Sequence, residues 1–168
     1  LETANGRNTI PSLVGQGARL VALDLETGAE SWTSDLDLSP AKHILYMSYA
    51  NETLVITSTR YAKVDPSETR GRAKPNQLTR VRYDLLAFNA KTGTPAWTAT
   101  AIPNYDEILN GDHGEQVQHP AITGGILYGP DFAFHLDTGK PYKGWTWKKS
   151  HKCATLSMSR HCAFSRYS

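Results

Sequence analysis

The side chains best suited to chemistry fall in two stretches. Asp106, Glu107, Asp112, His113, Glu115 and His119 gather carboxylates and imidazoles, and His151, Cys153, His161 and Cys162 gather imidazoles and thiols. In the first stretch, His113, Glu115 and His119 are spaced H-x-E-x-x-x-H. A zincin site needs two histidines four apart on a helix, with the glutamate beside one of them. Here Gly111, Gly114 and Pro120 stand in and around the run, so it reads as a loop entering a strand, and the metalloprotease reading fails. Three roles stay open. His113, Glu115 and His119 are mixed donors suited to Ca²⁺ or a transition metal, without selecting either. Asp112 and Glu115 are suited to tying down the loop through backbone N–H groups, with Gln116 and His119 capping a strand start. The same residues also suit a ligand or partner surface.

In the second stretch the two cysteines lie nine positions apart with no CxxC, which excludes a zinc-finger ligand count. If 154–157 and 161–165 pair as a hairpin, Cys153 and Cys162 face each other for a disulfide, provided their Cα atoms approach within about 7 Å. Two free buried thiols are the alternative. A thiol–imidazole nucleophile needs an activating environment and an oxyanion site, and no turn of the nucleophile-elbow kind is nearby.

Elements that would position these groups are legible through an internal repeat. Its first copy runs from Ala22 through Asp24, Thr27 and Gly28 to Trp32, and its second from Ala87 through Asn89, Thr92 and Gly93 to Trp97. The third has Ala133, His135, Thr138 and Gly139, with Trp145 two places later than the pattern predicts. Each copy reads as a hairpin. An apolar run forms the outgoing strand, and Thr-Gly follows where the turn needs a residue at positive φ, which glycine adopts cheaply. The polar residue at the third position bonds the turn backbone. A tryptophan on the return strand, with a small alanine on the outgoing one, suits packing of one sheet's aromatic against its neighbour's backbone.

Between copies the chain reads as further short strands at 44–50, 53–59, 81–89, 121–128, 131–135 and 145–149, with no helical periodicity. Gly28 and Gly93 are 65 residues apart, and Gly93 and Gly139 are 46 apart. A four-stranded blade takes roughly 40–50 residues, so the excess predicts an inserted surface loop over 61–78, marked by Pro66, Gly71 and Pro75. The expected fold is all-β: a partial propeller of about three four-stranded antiparallel blades over 1–168, with repeat motifs at 22–32, 87–97 and 133–145. Propellers close with about 4–8 blades. Three repeats leave open edges and apolar faces, so the chain alone is expected to be marginal or aggregation-prone, and a cooperative melt of a soluble monomer would count against this.

The formal charge is +2, from 18 basic and 16 acidic residues, which supplies no general attraction to nucleic acid or membrane. The basic residues between Arg60 and Arg82 and between Lys140 and Arg166 read as solvated loops and strand faces. No stretch approaches the roughly 18–20 apolar residues of a transmembrane helix.

The pattern Ala-x-Asp-x-x-Thr-Gly-x-x-x-Trp resembles the tryptophan-docking repeat of the PQQ-like (pyrroloquinoline quinone) β-propeller family. That family includes quinoprotein dehydrogenases, BamB-like assembly lipoproteins and many uncharacterised bacterial secreted proteins. The last group looks closest, through the stretch from Gly111 to Pro120 and the later His-x-Cys segment. Lys152 and Ala154 depart from it, standing where glycines more usually flank the cysteine. The resemblance implies an extracytoplasmic protein, periplasmic or secreted, whose partners are the remaining blades of a parent propeller and a protein or glycan. It implies a noncatalytic binding scaffold, with a quinoprotein oxidoreductase using PQQ and Ca²⁺ on alcohols or sugars as the alternative. The adjacent cysteine pair and calcium-site aspartate of the dehydrogenases cannot be placed in this sequence.

Overall fold

A computed structural model of the chain describes residues 17–41, 45–63, 79–108, 119–129, 132–145 and 157–164. All the strands among them pair antiparallel. The first sheet joins β1 (Ala18–Leu23) to β2 (Glu30–Leu36). The second joins β3 (Leu45–Ala50), β4 (Thr53–Lys63), β5 (Thr79–Asn89) and β6 (Pro95–Ile108) in that order. The third joins β7 (Ala121–Thr123), β8 (Ile126–Tyr128) and β9 (Ala133–His135), and β10 (Ser157–Met158) with β11 (Ala163–Phe164) forms a last hairpin.

Side chains alternate across a strand, so the central sheet presents two faces and both are used. Ile56 and Phe88 pack with Leu20, Leu36, Leu38 and Ala41 in one buried cluster, toward the first sheet. Val55, Tyr83, Leu85 and Ala87 point the other way and pack with Leu127, Phe134 and Leu136 of the third. This is why β4 and β5 each carry an unbroken apolar stretch, Leu54–Ile56 and Leu85–Phe88, instead of strict alternation.

Three expectations are corrected. The 121–128 run is two strands, because Gly124 and Gly125 both take positive φ (58° and 76°) and turn the chain into a hairpin. The insertion expected at 61–78 does not begin at Tyr61. The ladder continues through Tyr61↔Val81, Ala62↔Arg80 and Lys63↔Thr79, since backbone pairing is indifferent to the charges read there as loop signals. Residues 64–78 lie outside the described residues. Trp145 belongs to no strand, and 146–149 are likewise outside. Among the described residues only the second sheet has four strands.

The β3–β4 turn carries Asn51 and Glu52 at φ 48° and 60°, the two positive angles of a type I′ hairpin turn. Glutamate is strained there by about 1 kcal/mol. Glu52→Gly removes that strain and forfeits only the ion pair to Lys91, whose partners are both well exposed and whose worth is a few tenths of a kcal/mol. The variant should therefore be more stable by about 0.5–1 kcal/mol, read as a higher urea midpoint.

Candidate functional site

The three Thr-Gly turns share one backbone geometry. The third motif residue donates its N–H to the carbonyl five positions on, in Asp24→Ala29, Asn89→Thr94 and His135→Lys140, at 2.8–2.9 Å. The glycine donates back to it from Gly28, Gly93 and Gly139 at 2.8 Å, and these glycines sit at φ 70°, 71° and 65°. Asp24 Oδ1 accepts from the Glu26 and Thr27 amides and the Thr27 hydroxyl, and Asn89 Oδ1 from the Lys91 and Thr92 amides. Thr138 Oγ1 accepts from the Lys140 amide. The side chains of Asp24 and Asn89 are thus engaged in shaping their turns, whereas the His135 ring meets Tyr142 edge-on at 5.5 Å.

Trp32 pairs across its hairpin with Ala22, and Trp97 with Ala87. Each indole reaches the next repeat. Trp32 Nε1 donates to the Ala90 carbonyl at 3.0 Å, and Trp97 Nε1 to the Leu136 carbonyl at 2.8 Å, the same motif position in successive copies. The rings lie flat on the turn glycines: a Cβ at Gly93 would stand 2.4 Å from the Trp32 ring, and one at Gly139 2.5 Å from that of Trp97. Trp145 differs. Its Nε1 donates to the Gly129 carbonyl at 2.9 Å, within its own repeat, and its ring meets Tyr128 edge-on at 4.7 Å.

Where the first and second sheets face each other, the apolar seam gives way to a cleft of about 290 Å³. Ser58, Arg60, Asp84, Thr98 and Asp37 are among its walls. Asp84 is almost wholly buried, and both of its oxygens accept from Arg60 Nε, at 2.9 and 2.6 Å. It also accepts the Ala101 amide at 2.8 Å. That amide is freed by a β-bulge: Tyr83 pairs with Ile102 and Leu85 with Ala99, so Asp84 alone opposes two residues, and Ala101 takes φ 54°. The terminal guanidinium nitrogens of Arg60 have no acceptor among the described residues. Asp37 is held below the ordinary carboxylate range first by the Ser39 hydroxyl and amide, with a smaller contribution from the Arg60 charge. A fixed guanidinium fork beside hydroxyls and a carboxylate can hold a polar ligand bearing acceptors.

Sequence reasoning missed Arg60 and Asp84 as a pair. Arg60 and Arg82 were read as hydrated charge, whereas Arg82 is buried and Arg60 is tied to Asp84. The signal was an aspartate between Tyr83 and Leu85 in a strand-like apolar run, since a buried carboxylate must have partners.

In the polar stretch from Asp106 to His119, His113 and Glu115 fall outside the described residues. His119 is exposed, and its ring lies 4.6 Å from that of Tyr46 on β3, whose phenol burial pushes upward in pKa. Among the described residues no group of three metal-ligating side chains is found. Cys162 is exposed with a free thiol in the turn between β10 and β11, and Cys153 lies outside the described residues.

Asp24 gives a pH dependence. The Thr27 hydroxyl and amide lower its pKa below 3.8 in the folded chain. A depressed carboxylate contributes stability above its unfolded pKa and loses it as pH falls through the folded value. Asp24→Asn keeps the acceptor, as Asn89 does in the second repeat. Between about pH 5 and pH 2 its denaturation midpoint should therefore fall less than that of the unaltered chain.

No family model and no curated protein matches the chain. Among solved structures it is similar to BamB from Moraxella catarrhalis, with a TM-score of 0.50 and 15% sequence identity, covering 89% of this chain. The chain folds as part of a β-propeller. It spans 37% of the length of that BamB chain. In propeller terms, each of the first two indoles bridges one sheet to the next.

Proposed function

We propose that this chain is part of a noncatalytic, extracytoplasmic β-propeller scaffold that binds a protein or other ligand through its loop face and inter-blade surfaces. The observation that carries the reading is the pair of indole bridges, which fix the blades as a frame. In such a fold, function lives in sites grafted onto the frame. The likeness to BamB supports the fold, and the PQQ-like repeat supports the location.

The described residues lend the quinoprotein alternative no support of their own: Trp32 and Trp97 each lay a ring on a turn glycine and Trp145 meets Tyr128, while Trp147 lies outside them. Titrating the chain with PQQ and Ca²⁺ while following tryptophan fluorescence tests the choice. No saturable quenching is expected, and calcium-dependent saturable quenching would overturn the scaffold reading.

A further inference from the structure

The face that β4 and β5 turn toward the first sheet changes character from one rung to the next. Ile56 opposite Leu86 belongs to the apolar seam, but the following rungs on that face are Ser58 opposite Asp84 and Arg60 opposite Arg82. Ser58, Asp84 and Arg82 are only 3%, 3% and 7% exposed. Burying polar groups costs free energy that apolar side chains of similar volume would not, so a seam that only joined two sheets would gain nothing from them. They line or support the cleft between the two sheets.

Opposite charges stand on the two sides of that cleft. On the β4 side is Arg60, with the donors of its terminal nitrogens uncommitted among the described residues, next to Ser58, to whose hydroxyl no hydrogen bond is found among them. On the other side, just past β2, is the ionised carboxylate of Asp37. The two charges are within electrostatic reach, since Arg60 contributes to lowering the Asp37 pKa. Their hydrogen bonds nevertheless go elsewhere, from Arg60 Nε to Asp84 and from the Ser39 amide to Asp37. Leu86 and Pro40 add apolar lining. A volume of about 290 Å³ lies at the small end of ligand pockets, roughly 300–1,000 Å³, and suits one small molecule.

We propose that the cleft binds a free apolar α-amino acid, its carboxylate on Arg60 and the Ser58 hydroxyl, its ammonium on Asp37, and its side chain against Leu86 and Pro40. This inference rests on the scaffold reading above and names the ligand class of one surface between its sheets. A guanidinium fork matches a carboxylate through parallel N–H bonds, and an ammonium, which only donates, needs an acceptor such as Asp37. The lining carries Asp35, Asp37 and Asp84 against Arg60 alone. An anion without the ammonium therefore meets net negative charge, and a cation without the carboxylate leaves the guanidinium donors unused. A zwitterion answers both sides at once.

The test titrates the chain with L-leucine, followed by calorimetry. Saturable binding is expected. N-acetyl-leucine and leucinamide each lack one of the two charges, as the ends of a polypeptide do, and should bind at least about tenfold more weakly. Asp37→Asn keeps an acceptor for the Ser39 amide and should weaken leucine binding about tenfold. Ser58→Ala removes a hydroxyl that no described group uses, so its urea midpoint should hold or rise while leucine binding weakens about threefold or more. No saturable leucine binding, equal binding of either blocked form, or unchanged binding in either variant would each overturn the inference. Those results leave the scaffold reading standing, because its test is the PQQ titration.

Discussion

Gly93→Ala should destabilise the chain by about 3 kcal/mol, near the lower bound for losing a large core aromatic because Trp32 is half-buried, whereas Gly28→Ala should cost only about 1–2 kcal/mol. The two glycines hold the same place in the repeat, the same φ within a degree and the same turn hydrogen bond. Both variants therefore carry the same left-handed backbone strain. The difference lies in what covers the turn. At Gly93 an added methyl would sit 2.4, 2.7 and 3.0 Å from three atoms of the Trp32 ring, all closer than ordinary contact. The ring cannot yield without giving up its bond to the Ala90 carbonyl and its place beside the buried seam. At Gly28 a Cβ meets nothing within 4 Å. Urea denaturation of the two variants and of Gly139→Ala, which should follow Gly93, would decide it. Equal costs at 28 and 93 would mean that the glycines serve the turn alone and that the indoles are not what joins the blades.

That contrast also marks how far the fold was legible. Spacing alone located all three turns, because Asp24, Asn89 and the Thr-Gly pairs each answer a local backbone demand. It also suggested that each tryptophan meets a neighbouring sheet. Which sheet, and that Trp145 instead bonds within its own repeat, depends on register and on the path between Lys140 and Trp145, which the two-place offset does not reveal. The strand ends at 61–63 and the break at Gly124-Gly125 were misread for a common reason: charge and glycine count report on side chains, while ladder continuity is a matter of backbone pairing. For the candidate site, Asp84 was visible as a carboxylate in an apolar run. Its partners were not, because Arg60 lies 24 positions away and the Ala101 amide is freed only by a bulge.

Asp84→Ala should cost about 3 kcal/mol, near the lower bound for breaking a buried ion pair. Two groups lose their acceptor at once, Arg60 Nε and the Ala101 amide. The figure sits at the low end because the Arg60 side chain is 30% exposed and regains some hydration, while that of Asp84 is 4% exposed. Arg60→Ala should be comparably costly, since it strands a buried carboxylate with only the amide to hold it. In the double variant neither charge is left unpaired, so its cost should fall well short of the sum of the singles, with a coupling on the order of 1–3 kcal/mol. Ala101→Gly tests the third member separately. Relief of its positive φ should add about 1 kcal/mol while Asp84 is present, because glycine keeps the same amide in place. If the double variant instead showed additive costs, Arg60 and Asp84 would be acting independently. The cleft wall would then owe its shape to the bulge rather than to the ion pair, and the open guanidinium fork would be free to swing away from any ligand.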